Sequence, residues 1–169
     1  KGKDILLNVN QENYLSFLSD YLNGNYAENI RYGMAEHALN AYLSTQKDIS
    51  CLAMLLKAII LVTKLESFDL NEGIKEKALE CVRKAIELKN EGKYGSEEER
   101  QTVLSAIDAS QRFDYDKSLL MVAAEAYDYE CVKFLIEEGA DVNKEAEGYG
   151  TTALWYVACD SVAPENIEN

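Results

Sequence analysis

The amino-acid sequence predicts an all-α protein made of antiparallel helical hairpins stacked in the manner of an α-solenoid. Three observations carry that expectation. Pro164 is the single proline in 169 residues, so nothing within the body of the chain forces a helix to break. Nearly every apolar stretch repeats at three- to four-residue steps, and no convincing alternation of apolar and polar residues marks a strand. The breaks between these stretches are short, so consecutive helices fold back on one another.

The first helix is expected over about residues 11–22, with Tyr14, Leu15, Leu18, Tyr21 and Leu22 on one face and Asn23-Gly24-Asn25 ending it. The second, about 27–43, places Ile30, Met34, Ala38 and Ala41 at helical steps, and Ser44 to Asp48 supply a polar loop. Asp48 reads as the N-cap of the third helix, about 49–67. That helix is apolar almost all round except for Lys57 and Lys64, the pattern of a central, most buried element.

The fourth helix, about 71–90, is amphipathic, with Ile74, Ala78, Cys81, Val82, Ala85 and Ile86 on one face. On its other face Glu80 and Lys84 have the spacing of an i,i+4 pair, and Asn90-Glu91-Gly92 stops it. Ser96 starts a fifth helix that ends near Arg112, with Glu97, Glu98 and Glu99 in its first turn and a capping box between Ser96 and Glu99. These five helices read equally as a compact bundle or as degenerate repeats that begin a solenoid.

From Ser118 the pattern changes. Ser118-Leu119-Leu120-Met121-Val122-Ala123-Ala124 carries two alanines small enough for a short inner helix to pack closely. Glu130 to Ile136 follows, with Val132, Leu135 and Ile136 as the apolar face of an outer helix. Gly139 offers the positive φ that ends that helix, and Asp141 and Asn143 suit the turn beyond it. A second copy opens at Gly150, and Ser118, Leu120 and Ala124 match Thr152, Leu154 and Ala158, each 34 residues on.

Residues 116–143 and 150–158 together resemble ankyrin-repeat sequence, whose units recur at about 33 residues. The surplus residue falls in the loop 144–151. The copies diverge from the family pattern: Leu119 and Ala153 stand where Pro is usual, Met121 and Trp155 where His is usual. Tyr127-Asp128 stands where a Gly-containing turn is usual, and Asp116 where the opening Gly is usual. Apolar packing therefore carries more of the repeat-to-repeat contact than the family's Thr–His hydrogen bonds.

The chain divides into residues 1–112, the helical hairpins, and residues 113–169, ankyrin-type repeats of which the last is incomplete. Pro164-Glu165-Asn166-Ile167 reads as the first turn of a further outer helix, with Pro at N1. A piece of a longer repeat protein, or a chain with a truncated end, is expected on that ground.

The net charge of −13 and the absence of any Lys/Arg cluster among 17 basic residues exclude nucleic-acid and anionic-membrane binding as expectations. The most apolar run, Cys51 to Val62, is twelve residues with Lys57 inside it, too short to span a bilayer. Cys51, Cys81, Cys131 and Cys159 are widely spaced without a CxxC pair, and are expected as free thiols in a reducing, cytoplasmic setting. An export signal removed upstream of Lys1 would change that location.

No catalytic constellation is expected. His37 is the one histidine and lies beside Met34, Ala38 and Ala41 on a helix, so no multi-histidine metal site is available and a structural role suffices. Glu97-Glu98-Glu99 and Glu137-Glu138 occupy helix-terminal or outer-face positions that need only solvent. No phosphate loop, nucleophile elbow or zinc-protease helix occurs, and no cofactor or metal is expected.

The expected function is a protein-interaction scaffold that binds a basic or neutral protein through an acidic, Tyr/Trp-bearing surface. The ankyrin resemblance implies contacts through loop tips and the inner-helix face. Those positions are Glu125, Tyr127 and Asp128 at the end of the first inner helix, and Glu145, Glu147 and Tyr149 on the loop. Trp155 joins them, read equally as a partner anchor or as a cap on the apolar face. An immunity or inhibitor protein for a basic toxin is the narrower alternative, and an enzyme domain with an ankyrin targeting arm a third. No oligomeric state follows from the sequence.

Overall fold

A computed structural model describes residues 14–24, 28–62, 72–112, 118–146 and 150–160. Among these residues the architecture is all-helical, with one isolated antiparallel bridge between Ala146 and Thr151. The helices are α1 (Tyr14–Asn23), α2 (Glu28–Thr45), α3 (Cys51–Val62), α4 (Glu72–Asn90), α5 (Glu97–Arg112), α6 (Leu119–Glu125), α7 (Tyr129–Glu137) and α8 (Ala153–Asp160). They stack as helical hairpins, as the sequence predicts.

The first five helices share one core. α1 packs on α2 and α5, and α3 packs on α4 and α5. α1 buries Leu15, Leu18, Tyr21 and Leu22, the expected face, with Tyr14 packed at its edge. In α2 the buried stripe is Ala35, Ala38, Leu39 and Tyr42, with Met34 and Ala41 half-buried. The helix is thus turned by about one position from the expected stripe, because Leu39 and Tyr42 offer more apolar surface than Met34 and Ala41. α3 is the central helix, with Cys51, Leu52, Ala53, Leu55, Leu56, Ala58, Ile59, Ile60 and Val62 all buried. Lys64 and the expected end of this helix lie outside the described residues.

Two local details of the helix starts and faces differ from expectation. Ser50, not Asp48, caps α3, because its Oγ accepts from the Ala53 amide at 3.1 Å. On α4, Lys84 bonds Glu87 at 2.9 Å, one turn C-terminal, in place of Glu80. The fifth helix behaves as predicted: Ser96 Oγ accepts from the Glu99 amide at 3.1 Å, and Glu99 Oε1 accepts from the Ser96 amide at 3.4 Å. Glu99 is nevertheless buried, not solvated, and also accepts from the Ser50 hydroxyl.

The loop between α4 and α5 completes α3. The first helical amides of α3 have no partner inside the helix, and the carbonyls of Lys93 and Tyr94 accept from Cys51 and Leu52 at 2.8 and 3.0 Å. That close approach requires Gly95 (φ +130), since a Cβ there would lie 3.1 Å from both Leu52 Cδ1 and Ser50 Oγ.

Three helices close with the same two-bond motif, a 6→1 and a 5→2 bond around a left-handed residue. After α4, Lys93 donates to Leu88 and Gly92 to Lys89; after α7, Ala140 donates to Leu135 and Gly139 to Ile136. Gly92 and Gly139 take φ of +79 and +105 there, the second as the sequence predicts. After α6, Asp128 donates to Ala123 and Tyr127 to Ala124, and the left-handed position is held by Tyr127 at φ 54. Tyr127 thus does a glycine's work with a Cβ in the way.

A candidate partner-binding surface on the repeats

α6 and α7 form a helix-turn-helix whose starts are both capped by side chains. Ser118 Oγ accepts from the Met121 amide at 3.2 Å, and Asp128 Oδ1 accepts from the Cys131 amide at 3.2 Å. Leu119 through Ala124 are all buried, because α3, α4, α7 and α8 all pack on α6. The small Ala123 and Ala124 permit that enclosure. α7 buries Cys131, Phe134 and Leu135. Ile136, expected on that face, is instead exposed, and Val132 is only half-buried.

The helical period explains this rotation. Phe134 and Glu137 turn toward α4, whose Lys89 Nζ lies 5.5 Å from the Phe134 ring centroid and 3.9 Å from Glu137 Oε2. At 100° per residue, Val132 falls on the opposite flank, with Ile136 and Tyr129 beside it. Tyr129 and Ile136, i and i+7, are exposed there.

α4 and α7 run side by side in the same direction, since Arg83 reaches Asp128 and Lys89, further along α4, reaches Glu138 just past α7. Arg83 Nε donates to Asp128 Oδ2 and Arg83 NH1 to Glu76 Oε1, both at 2.9 Å. These bonds hold the guanidinium pKa above its ordinary value. Burial alone pushes the Asp128 carboxyl up, but the Cys131 amide and Arg83 outweigh it, leaving Asp128 below the usual aspartate value.

The strongest polar cluster surrounds Glu138, which is 3% exposed. Its carboxylate accepts from Lys89 Nζ at 2.9 Å, from the Tyr94 hydroxyl at 2.6 Å and from Arg100 NH1 at 3.0 Å. Arg100 NH1 also donates to the Glu138 carbonyl at 3.0 Å. Burial and the Glu138 hydrogen bond together push the Tyr94 hydroxyl up to about 12. Glu138 is therefore not a solvated outer-face residue, as its place in a Glu-Glu pair suggests. Three donors from the α4–α5 segment converge on it and replace its water.

The residues expected to meet a partner divide by environment. Tyr127 and Trp155 are both partly exposed, and Glu145 is exposed. The Trp155 ring meets Tyr156 edge-on, with centroids 5.3 Å apart at 88°. Glu125 and Asp128 are tied to α4, Glu125 through Lys75 at 3.5 Å and Asp128 through Arg83. Glu147 and Tyr149 lie outside the described residues. Sequence reading missed three exposed apolar side chains of the repeats, Ile136, Val142 and Leu154. The i and i+7 spacing of Tyr129 and Ile136, opposite Phe134, is a signal a helical projection carries.

A family model described as ankyrin repeats (3 copies) matches residues 70–168, more than half of the 169 residues. The chain belongs to the ankyrin-repeat family. Ankyrin repeats are generic protein–protein interaction modules, so the function shown at this level is protein binding. The match begins upstream of the 116–158 signature and takes in α4 and α5 of this ankyrin chain. No curated protein matches the chain, and no solved structure does.

The thiols of this ankyrin-repeat protein suit packing. Cys51, Cys81 and Cys131 are free and buried. Burial pushes the Cys51 and Cys131 thiols up to about 12 and raises Cys81 as well, away from the reactive thiolate. Among the described residues no group of three or more His, Cys, Asp or Glu is placed to hold a metal ion, and no helix is long and apolar enough to cross a membrane.

Proposed function

We propose that the protein is a non-catalytic scaffold that captures a basic protein on an acidic surface with aromatic anchors. One observation carries this reading: among the described residues, six of the eight exposed large apolar side chains fall between Tyr127 and Trp155. That same segment is the most one-sided in charge, with nine carboxylates against two lysines between residues 119 and 160. On α4 the balance is four carboxylates to five basic residues, and several of those cations pair internally with Glu76 and with Glu125, Asp128 and Glu138 of the repeats, so the acidic surface rests on the remaining repeat carboxylates. A surface of this kind steers a cationic partner and repels nucleic-acid phosphates. The free thiols support a reducing, cytoplasmic setting.

The test is a pull-down with the full chain beside a variant carrying Tyr127→Ala, Glu145→Lys and Trp155→Ala. A basic protein retained by the parent at low salt, lost from the variant and released as salt rises is the expected result. Retention of the same proteins by both chains, or salt-insensitive binding of an acidic protein, would overturn the reading.

A further inference from the structure

Three donors of different chemistry converge on one buried point: the Lys89 ammonium, the Tyr94 hydroxyl and the Arg100 guanidinium. All three belong to residues 89–100, the end of α4, the following loop and the first turn of α5. The acceptor, Glu138, comes from the turn after α7, 38 to 49 residues later in the chain. The backbone under the donors is fixed by bonds in which Glu138 has no part. The carbonyls of Lys93 and Tyr94 accept from Cys51 and Leu52 and tie the loop to the start of α3, while the Gly92 and Lys93 amides close α4. The Ser96–Glu99 capping box and the Ser50 hydroxyl set the first turn of α5. Lys89 Nζ also lies 5.7 Å from the Tyr94 ring centroid. Donors placed before their acceptor arrives bind it with little cost of ordering.

We propose that residues 89–100 form a built carboxylate-binding site and that Glu138 is its tethered ligand. Two cations and a hydroxyl suit a single carboxylate, whose two oxygens accept from all three donors. Glu138 Oε1 accepts from Lys89, and Oε2 accepts from Tyr94 and Arg100. The tether holds Glu138 at a high effective concentration, so free carboxylates do not compete in the native chain. With that side chain removed, the same donors take a small monocarboxylate from solution. This site is separate from the partner-binding surface proposed above and stands or falls without it.

Glu138→Ala deletes the atoms of one acetate ion, because the Cβ stays as the alanine methyl and the carboxylate leaves with the methylene that carries it. The full chain with this substitution is unfolded by heat at neutral pH in sodium acetate and in sodium chloride of equal strength, up to about 0.5 M, the range a weak single-site ligand needs. The native chain and Glu138→Gln, whose amide still fills the site, give the general effect of acetate on folding. The expected result is a saturable rise of the Glu138→Ala midpoint with acetate, beyond that general effect, recovering about half of the loss. Acetamide, alike in shape but uncharged, is expected to restore nothing. Tyr94→Phe in the Glu138→Ala chain removes one donor and is expected to weaken acetate binding about tenfold.

If Glu138→Ala is unfolded in chloride alone, return of the helical circular dichroism with acetate is the supporting result. A Glu138→Ala midpoint that acetate moves no further than it moves the native chain overturns the proposal. So does rescue by acetamide equal to that by acetate, which assigns the effect to filled volume and not to charge. An acetate response unchanged by Tyr94→Phe, or shown equally by Glu138→Gln, also overturns it, since the ion then binds elsewhere. Glu138→Ala with the native midpoint does so too, because no site has then been emptied.

Discussion

The Tyr94 hydroxyl donates to Glu138 Oε2 at 2.6 Å, joining the loop that leaves α4 to the turn that leaves α7. Lys89 and Arg100 reach the same carboxylate, so one buried acid binds the repeat to the hairpin before it. Glu138→Ala removes the carboxylate that two cations share, but Lys89 keeps Glu137 and Arg100 the backbone carbonyl of residue 138, and their side chains, 38% and 24% exposed, regain part of their hydration. The expected loss is about 2–4 kcal/mol, at or just below the range for breaking a buried pair. Tyr94→Phe, which removes one bond to a charged acceptor, is expected to cost about 1.5 kcal/mol. Urea unfolding of both variants measures these values.

Tyr127 occupies the left-handed position that Gly92 and Gly139 hold in the equivalent turns. Tyr127→Gly is expected to stabilise the fold by about 0.5–1 kcal/mol, the relieved strain exceeding the added chain entropy. Tyr127→Val, β-branched in the same conformation, is expected to cost about 1–2 kcal/mol. Thermal midpoints moving in opposite directions are the signature.

Asp128 is held below its ordinary pKa once folded, which fixes the sign of its pH dependence. Its contribution is complete above the unfolded value of about 3.9 and is lost as pH falls through the lower folded value. Asp128→Asn keeps the cap and loses the Arg83 ion pair. A gap of about 0.5–1 kcal/mol at pH 7, allowing for the half-exposed guanidinium, should close as pH falls below that window. Unfolding of both proteins at pH 7, 4 and 3 follows it.

Two glycine substitutions should differ in sign. Gly95→Ala drives a Cβ against Leu52 and Ser50 at a positive φ, and is expected to cost about 2 kcal/mol or more. Gly33, within α2, has nothing within 4 Å of its Cβ position. Gly33→Ala is expected to stabilise by about 0.5–1 kcal/mol through helix propensity. Denaturant midpoints decide both.

The helices and their ends were legible in the sequence because they depend on neighbours three to five residues away. The Ser96–Glu99 capping box and the turn at Gly139 are such cases. Asp48 failed as a cap because Ser50 stands two residues closer to the first helical turn, a distinction finer than residue preference draws. Glu138 was illegible for a different reason. Nothing in Glu137-Glu138-Gly139 distinguishes the buried acid from its half-exposed neighbour, and its three donors stand 38 to 49 residues earlier in the chain. Of the expected binding residues, Glu125 and Asp128 turned out tied to α4 by the same kind of long-range pairing.

Glu138 also bears on how portable the repeat is. Leu119 to Ala140 has the outline of a cassette that an engineer would move between ankyrin arrays. Lifted out, it would carry a carboxylate whose solvent has been replaced by side chains left behind on α4, the following loop and α5. A transplant succeeds only if Lys89, Tyr94 and Arg100 travel with it or Glu138 is exchanged for an apolar residue. The unit of inheritance in this chain is therefore larger than the unit of repetition.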